Sequence, residues 1–209
     1  MDARTRIEIR CARIPIDFFV VATLSFACGI AAAPWVVGAV AGYFYQSSVL
    51  AVVHTLALGW ITAAIMGVIY SYVPALTRRT LPYPRLLMPQ FVLYVIGASG
   101  MVSHFALGSW SGIWSAALVV IASVVLFAAN IFPLLWPQVA CGVVESGIFI
   151  ALCFLLIAAT LGFLLALDKS YGFLGGSVIS NLASHAHLAA IGWVTRLAAP
   201  VRAARRVWR

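Results

Sequence analysis

The chain has 209 residues, 64% of them hydrophobic and 9% charged, with a net charge of +8 and a mean hydropathy of +1.08. Soluble domains carry roughly 25% charged residues, so a soluble globular class is excluded. What remains is an all-α integral membrane protein, a six-transmembrane-helix bundle forming one domain over residues 1–209 in the lipid bilayer. The basic balance does not indicate nucleic acid, because the arginines cluster where the positive-inside rule places them.

A bilayer core takes about 20 apolar residues per helix, which predicts spans at about 15–39, 49–74, 86–107, 110–135, 141–167 and 178–200. Arg4, Arg6, Arg10 and Arg13 precede the first span, and Arg78, Arg79 and Arg85 lie between the second and third. Arg202, Arg205, Arg206 and Arg209 follow the sixth, while the loops after the first, third and fifth carry only Lys169. Both termini are therefore predicted cytoplasmic, in a bacterial-type inner membrane, with the arginine-bearing start retained as a first span. Cys11, Cys28, Cys141 and Cys153 form no C-x-x-C pair and no C-x-x-C-H, which excludes covalent c-type heme attachment. Asp17 and Glu145, near inner helix ends, read as solvated boundary residues, and Asp168 with Lys169 as a solvated outer loop. Tyr70 and Tyr72 read as part of an aromatic belt.

One phrase occurs twice: His-Thr-Leu-Ala-Leu-Gly-Trp-Ile-Thr at 54–62 and His-Leu-Ala-Ala-Ile-Gly-Trp-Val-Thr at 187–195. The shared pattern is H-x-x-A-x-G-W-[IV]-T, in a chain with four histidines. A histidine inside an apolar span is costly unless it has a partner. His54 falls about five residues into the second helix and His187 about nine into the sixth, two helices of the same direction. Both imidazoles then lie roughly a third of the way in from the outer surface, at 1.5 Å per residue. Paired imidazoles on separate helices are the donor set of a bis-histidine heme. Gly59, Ala63 and Gly67 form a small-residue stripe that serves either helix packing or room for a porphyrin. His185 points about 200° from His187 on one helix, so the two do not serve the same iron. His104 borders a Gly-Ser-Trp loop and is the weakest ligand candidate.

The stretch from Val53-His54-Thr55 to Tyr70-Ser71-Tyr72-Val73-Pro74 resembles the second helix of the heme-copper oxidase catalytic subunit. The nearest branches are the nitric oxide reductases and the C-family (cbb-type) oxidases. Ser184-His185-Ala186-His187-Leu188-Ala189 with Gly192 resembles the family's H-x-H-L-A-x-x-G helix. The resemblance implies that His54 and His187 are the axial ligands of a heme b and that His185 stands at the position of a second, high-spin heme. It also implies respiratory-complex partners or a quinol or cytochrome c electron donor. The two motifs cover about a fifth of the chain. The family's catalytic subunits have about twelve helices and three further histidines for a non-heme metal, including an adjacent pair. This chain has neither, so it does not form a self-contained terminal oxidase. The family's propionate-holding arginines are also missing, leaving Trp110, Trp114, Tyr43, Tyr45 or Lys169 for that role. Arg196 stands where the first copy has Ala63, so the sixth helix is barely long enough and Arg196 must reach the inner surface.

The expected function is a membrane b-type heme protein engaged in electron transfer or in handling or sensing a diatomic gas. The alternatives are a metal-handling membrane protein and a cofactor-free assembly or structural subunit of a larger respiratory complex.

Overall fold

A computed structural model describes residues 3–42, 45–139 and 142–197. Helix α1 spans Ala3–Gly42, α2 Ser47–Thr77, α3 Leu87–Ala106, α4 Ile113–Leu135 and α5 Val143–Tyr171. The last helix, α6, starts as Val178–His187 and continues as Leu188–Thr195. No strand occurs among the described residues. Five of these helices, all but α6, are long and apolar enough to cross a membrane. Tyr43, Cys141 and the tail arginines from Arg202 onward lie outside the described residues.

Local chemistry sets the helix ends. Helix α2 stops where Arg78 turns left-handed at φ 52°, with the Arg79 amide donating back to the Pro74 carbonyl. Helix α4 starts at Ile113, later than the sequence suggests, because Gly112 takes φ +84°. Helix α5 ends on Gly172, whose amide donates to the Asp168 carbonyl. The Asp168 carboxylate accepts the Leu174 amide at 2.6 Å. Asp168 is therefore a turn-forming residue and not merely solvated.

The helices pack mainly in chain order, α1 on α2, α2 on α3, and so on to α6 on α5. The α1–α2 contact is the most extensive, and α6 makes no comparable contact with α2 among the described residues. Small residues allow the close approaches. A Cβ on Gly59 would lie 2.5 Å from Ser25 Oγ, and one on Gly67 would lie 3.0 Å from the Pro15 carbonyl oxygen. Ala63 between them is fully buried. The Gly59–Ala63–Gly67 stripe is thus the face that seats α2 on α1, which decides between its two readings: α1 takes the room a porphyrin would need.

Buried side-chain amides join the half of the bundle away from His54. Gln90 donates to Ser123 Oγ at 2.9 Å and accepts the Tyr70 hydroxyl at 3.3 Å. Ser123 donates in turn to the Gln90 carbonyl at 2.9 Å. Asn130 accepts the Tyr83 amide at 3.0 Å. Tyr70 is 4% exposed and packs edge-on against Phe127. Its belt assignment is corrected: the hydroxyl finds a partner in α3, not at the interface. Tyr72, 42% exposed, faces outward as a belt residue does.

The tightest backbone contact is at Gly97, where a Cβ would lie 2.7 Å from the Val120 amide nitrogen and 3.2 Å from the Ala116 oxygen. Backbone cannot swing aside as a side chain can. Gly97→Ala is expected to cost about 1–3 kcal/mol, whereas Gly38→Ala, with open space around it, should be neutral. Denaturant unfolding in detergent micelles measures both.

Candidate functional site

The two copies of the repeated phrase fold alike. His54 and His187 are each the last α-helical residue before a π-helical segment, Thr55–Thr62 in α2 and Leu188–Thr195 in α6. Each π segment begins directly after the motif histidine and ends on the motif threonine. Short π segments in helices occur frequently at functional sites.

The imidazoles are also held alike. His54 Nδ1 lies 2.8 Å from the Leu50 carbonyl oxygen, and His187 Nδ1 lies 2.7 Å from the Ala183 carbonyl oxygen. Both acceptors stand four residues back on the same helix. A carbonyl can only accept, so Nδ1 carries the proton and Nε2 of the neutral ring keeps its lone pair. His185 Nδ1 donates across to the Ala158 carbonyl of α5 at 3.0 Å, and His104 Nδ1 donates to the Ser109 carbonyl at 3.0 Å. All four imidazoles therefore commit Nδ1 to a backbone carbonyl and keep Nε2 free of it.

Their surroundings differ. The His54 ring packs on Phe105 at 4.6 Å between centroids. Phe105 meets Trp110 edge-on at 5.8 Å. Lys169 Nζ lies 5.0 Å from the centre of the Trp110 ring and 4.6 Å from that of Tyr45. Three of the residues named as replacements for the propionate arginines, Lys169, Trp110 and Tyr45, thus form one cluster at the His54 end of the bundle. Lys169 bridges two rings instead of being simply solvated.

His185 lies against α5, where a Cβ on Gly162 would meet its Cε1 at 2.7 Å. It is also close enough to His54 for the two imidazoles to interact electrostatically. His187 is exposed and opens into a groove of about 680 Å³, with Phe154, Ser184, Leu188 and Ile191 among its lining residues. The structure brings His54 and His185 into range of each other and turns His187 toward this groove. The motif tryptophans also diverge: Trp60 stacks on Phe26 at 4.4 Å, whereas Trp193 is 1% exposed and its indole N–H has no partner among the described residues.

The remaining candidates resolve as boundary groups. Asp17 pairs with Arg13 at 3.5 Å, one helical turn away. Glu145 sits in the first turn of α5, folded over Gly142, where a carboxylate complements the helix N-terminus. Cys28 is exposed and Cys153 partly buried. Among the described residues, no group of three His, Cys, Asp or Glu side chains comes together to hold a metal ion.

Searches of family models, curated proteins and solved structures gave no match to this chain.

The Lys169 cluster ties together the α1–α2 loop, the α3–α4 loop and the end of α5. Cation–π contacts at exposed sites contribute about 0.5–1 kcal/mol. Lys169→Met is expected to destabilise by that amount and to change Trp110 fluorescence, and a double-mutant cycle with Trp110→Leu should show the two losses to be non-additive.

Proposed function

We propose that this chain is a membrane b-type heme protein, related to the heme-copper oxidase catalytic subunit, that works in electron transfer or in handling a diatomic gas. One observation carries this reading. The same nine-residue phrase builds the same local structure twice, with an imidazole clamped through Nδ1 by its own helix and a π segment directly after it. Such a clamp fixes the ring and leaves Nε2 uncommitted, as the second shell of a metal-ligating histidine does.

The donor set fits a heme. His54 and His187 would supply axial nitrogens, and His185 stands as donor to a second heme. A bare transition ion needs more protein donors than come together among the described residues. Bound heme supplies one-electron chemistry at its iron, tuned by its axial ligands and their hydrogen bonds. The chain's own residues do the rest. Leu50 and Ala183 hold the ring tautomers, Phe105 packs the face of His54, and Lys169 adds the basic charge beyond Trp110 that a carboxylate-bearing cofactor needs.

A second pairing has its own observation: it is His185 that lies within electrostatic range of His54. Substitution separates the two. Protein purified from heme-replete cells should show the reduced α-band of bis-imidazole heme b. His54→Ala should abolish it, and so should His187→Ala if the motif pair is the ligand pair. Loss of the band in His185→Ala, with His187→Ala intact, would assign the pair to His54 and His185. A colourless wild-type protein that tolerates all three substitutions would leave the assembly-subunit role in place of the heme.

A further inference from the structure

A π segment changes more than local hydrogen bonding. Its i→i+5 bonds take up residues that an α-helix would place on the next turn. Each added residue rotates everything on one side of the segment by about 100° around the axis relative to the other side. In α2 the part after the π segment is fixed, because Gly67 and Met66 are buried in the bundle and Gly67 rests against α1 at Pro15 and Phe18. The direction in which His54 faces is therefore set by whether residues 55–62 hold the π register.

One backbone carbonyl marks that register in the first copy. Leu58 stands four residues past the motif histidine. Its carbonyl takes the Ala63 amide, five residues on, as a π bond requires. It also accepts the Tyr94 hydroxyl from α3 at 2.7 Å. The equivalent carbonyl of the second copy, Ile191, accepts the Thr195 hydroxyl at 2.6 Å, the same back-bond to the fourth residue before that Thr23, Thr77 and Thr160 make in α-helical register. In the first copy the matching threonine, Thr62, lies beside the Tyr94 hydroxyl. Tyr94 is fully buried, so a return of residues 55–62 to the α register would turn the Leu58 carbonyl away and orphan that hydroxyl in hydrocarbon.

We propose that the Tyr94 hydroxyl on the Leu58 carbonyl locks the π register of residues 55–62, and that Tyr94 is the positioning residue that thereby aims His54. The lock is supplied from a neighbouring helix. The link to ligand geometry rests on the heme reading above; the lock itself does not.

The experiment uses the full chain in detergent, as purified, with Tyr94→Phe and Thr195→Val. Amide hydrogen exchange over 55–62 should speed about three- to tenfold in Tyr94→Phe, the range that loss of one net hydrogen bond gives, while 188–195 stays unchanged. Thr195→Val, which removes an ordinary back-bond in α6, should leave 55–62 unchanged. In the heme-loaded protein, Tyr94→Phe should retain the α-band but shift the low-spin electron paramagnetic resonance signal, which reports imidazole orientation. Tyr94→Met, which also fills the site without a hydroxyl, takes its place if Tyr94→Phe fails to fold. Unchanged exchange over 55–62 in the variant without the hydroxyl overturns the lock. Altered exchange with an unmoved resonance signal overturns the aiming of His54. A wild-type protein without heme overturns the functional reading, and the exchange arm still decides the lock.

Discussion

Hydrocarbon offers no hydrogen-bond partners, so every polar group placed in it must be satisfied by the chain. For a neutral imidazole that demand has two ends, one donor and one acceptor. The four histidines meet the first demand in the same way, each giving the Nδ1 proton to a backbone carbonyl. A carbonyl cannot serve the other nitrogen. The lone pair on Nε2 is left over by construction, open to a hydrogen-bond donor or a Lewis acid. The uncommitted Nε2 of His54 and His187 thus follows from the way the helix satisfies Nδ1.

The same demand explains the contrast between the two ends of the bundle. In the half that holds Gln90, that residue with Ser123 and Tyr70 consumes donors and acceptors across α2, α3 and α4, so the network joins helices and leaves little to offer. In the half that holds His54 the polar groups bond mainly to backbone or ride on aromatic faces, as Lys169 does over Tyr45 and Trp110. The first half is built for cohesion, and the second leaves more of its polar atoms uncommitted.

Five of the six helices were legible because hydropathy over about 20 residues is a strong, local signal. Observed ends differ from the expected ones mostly where a glycine or a turn residue acts, as Gly112 does before α4. The repeat was legible too, and it fell on the two residues with the most similar surroundings along the backbone. The π register was not legible, because a helical wheel assumes a constant angle per residue and that assumption fails between His54 and Ala63. For the same reason a wheel could not tell that Leu58 would meet Tyr94. The small-residue stripe stayed ambiguous in sequence since close packing and cofactor space call for the same residues; only the position of Ser25 and Pro15 on α1 separated them. Tyr70 was misassigned because its partner, Gln90, lies on another helix. A lone amide at position 90 of an apolar span was the signal available.

The two copies of the motif are alike in local build and unlike in support, and the difference bears on what they can do together. Helix α2 is gripped from two sides, by α1 through Gly59 and Gly67 and by α3 through Tyr94. Helix α6 leans chiefly on α5. Among the described residues, His185 to Ala158 is the side-chain hydrogen bond that ties α6 to another helix. His185 is thus both a donor candidate and the strut that sets the roll of its helix. Turning it toward a metal through its free Nε2 need not break the strut, because the bond to α5 uses Nδ1. One histidine of the motif pair therefore stands on a helix gripped from two sides, and the other on a helix seated on a single neighbour by the His185 bond and by the close packing of Gly192 on Phe154.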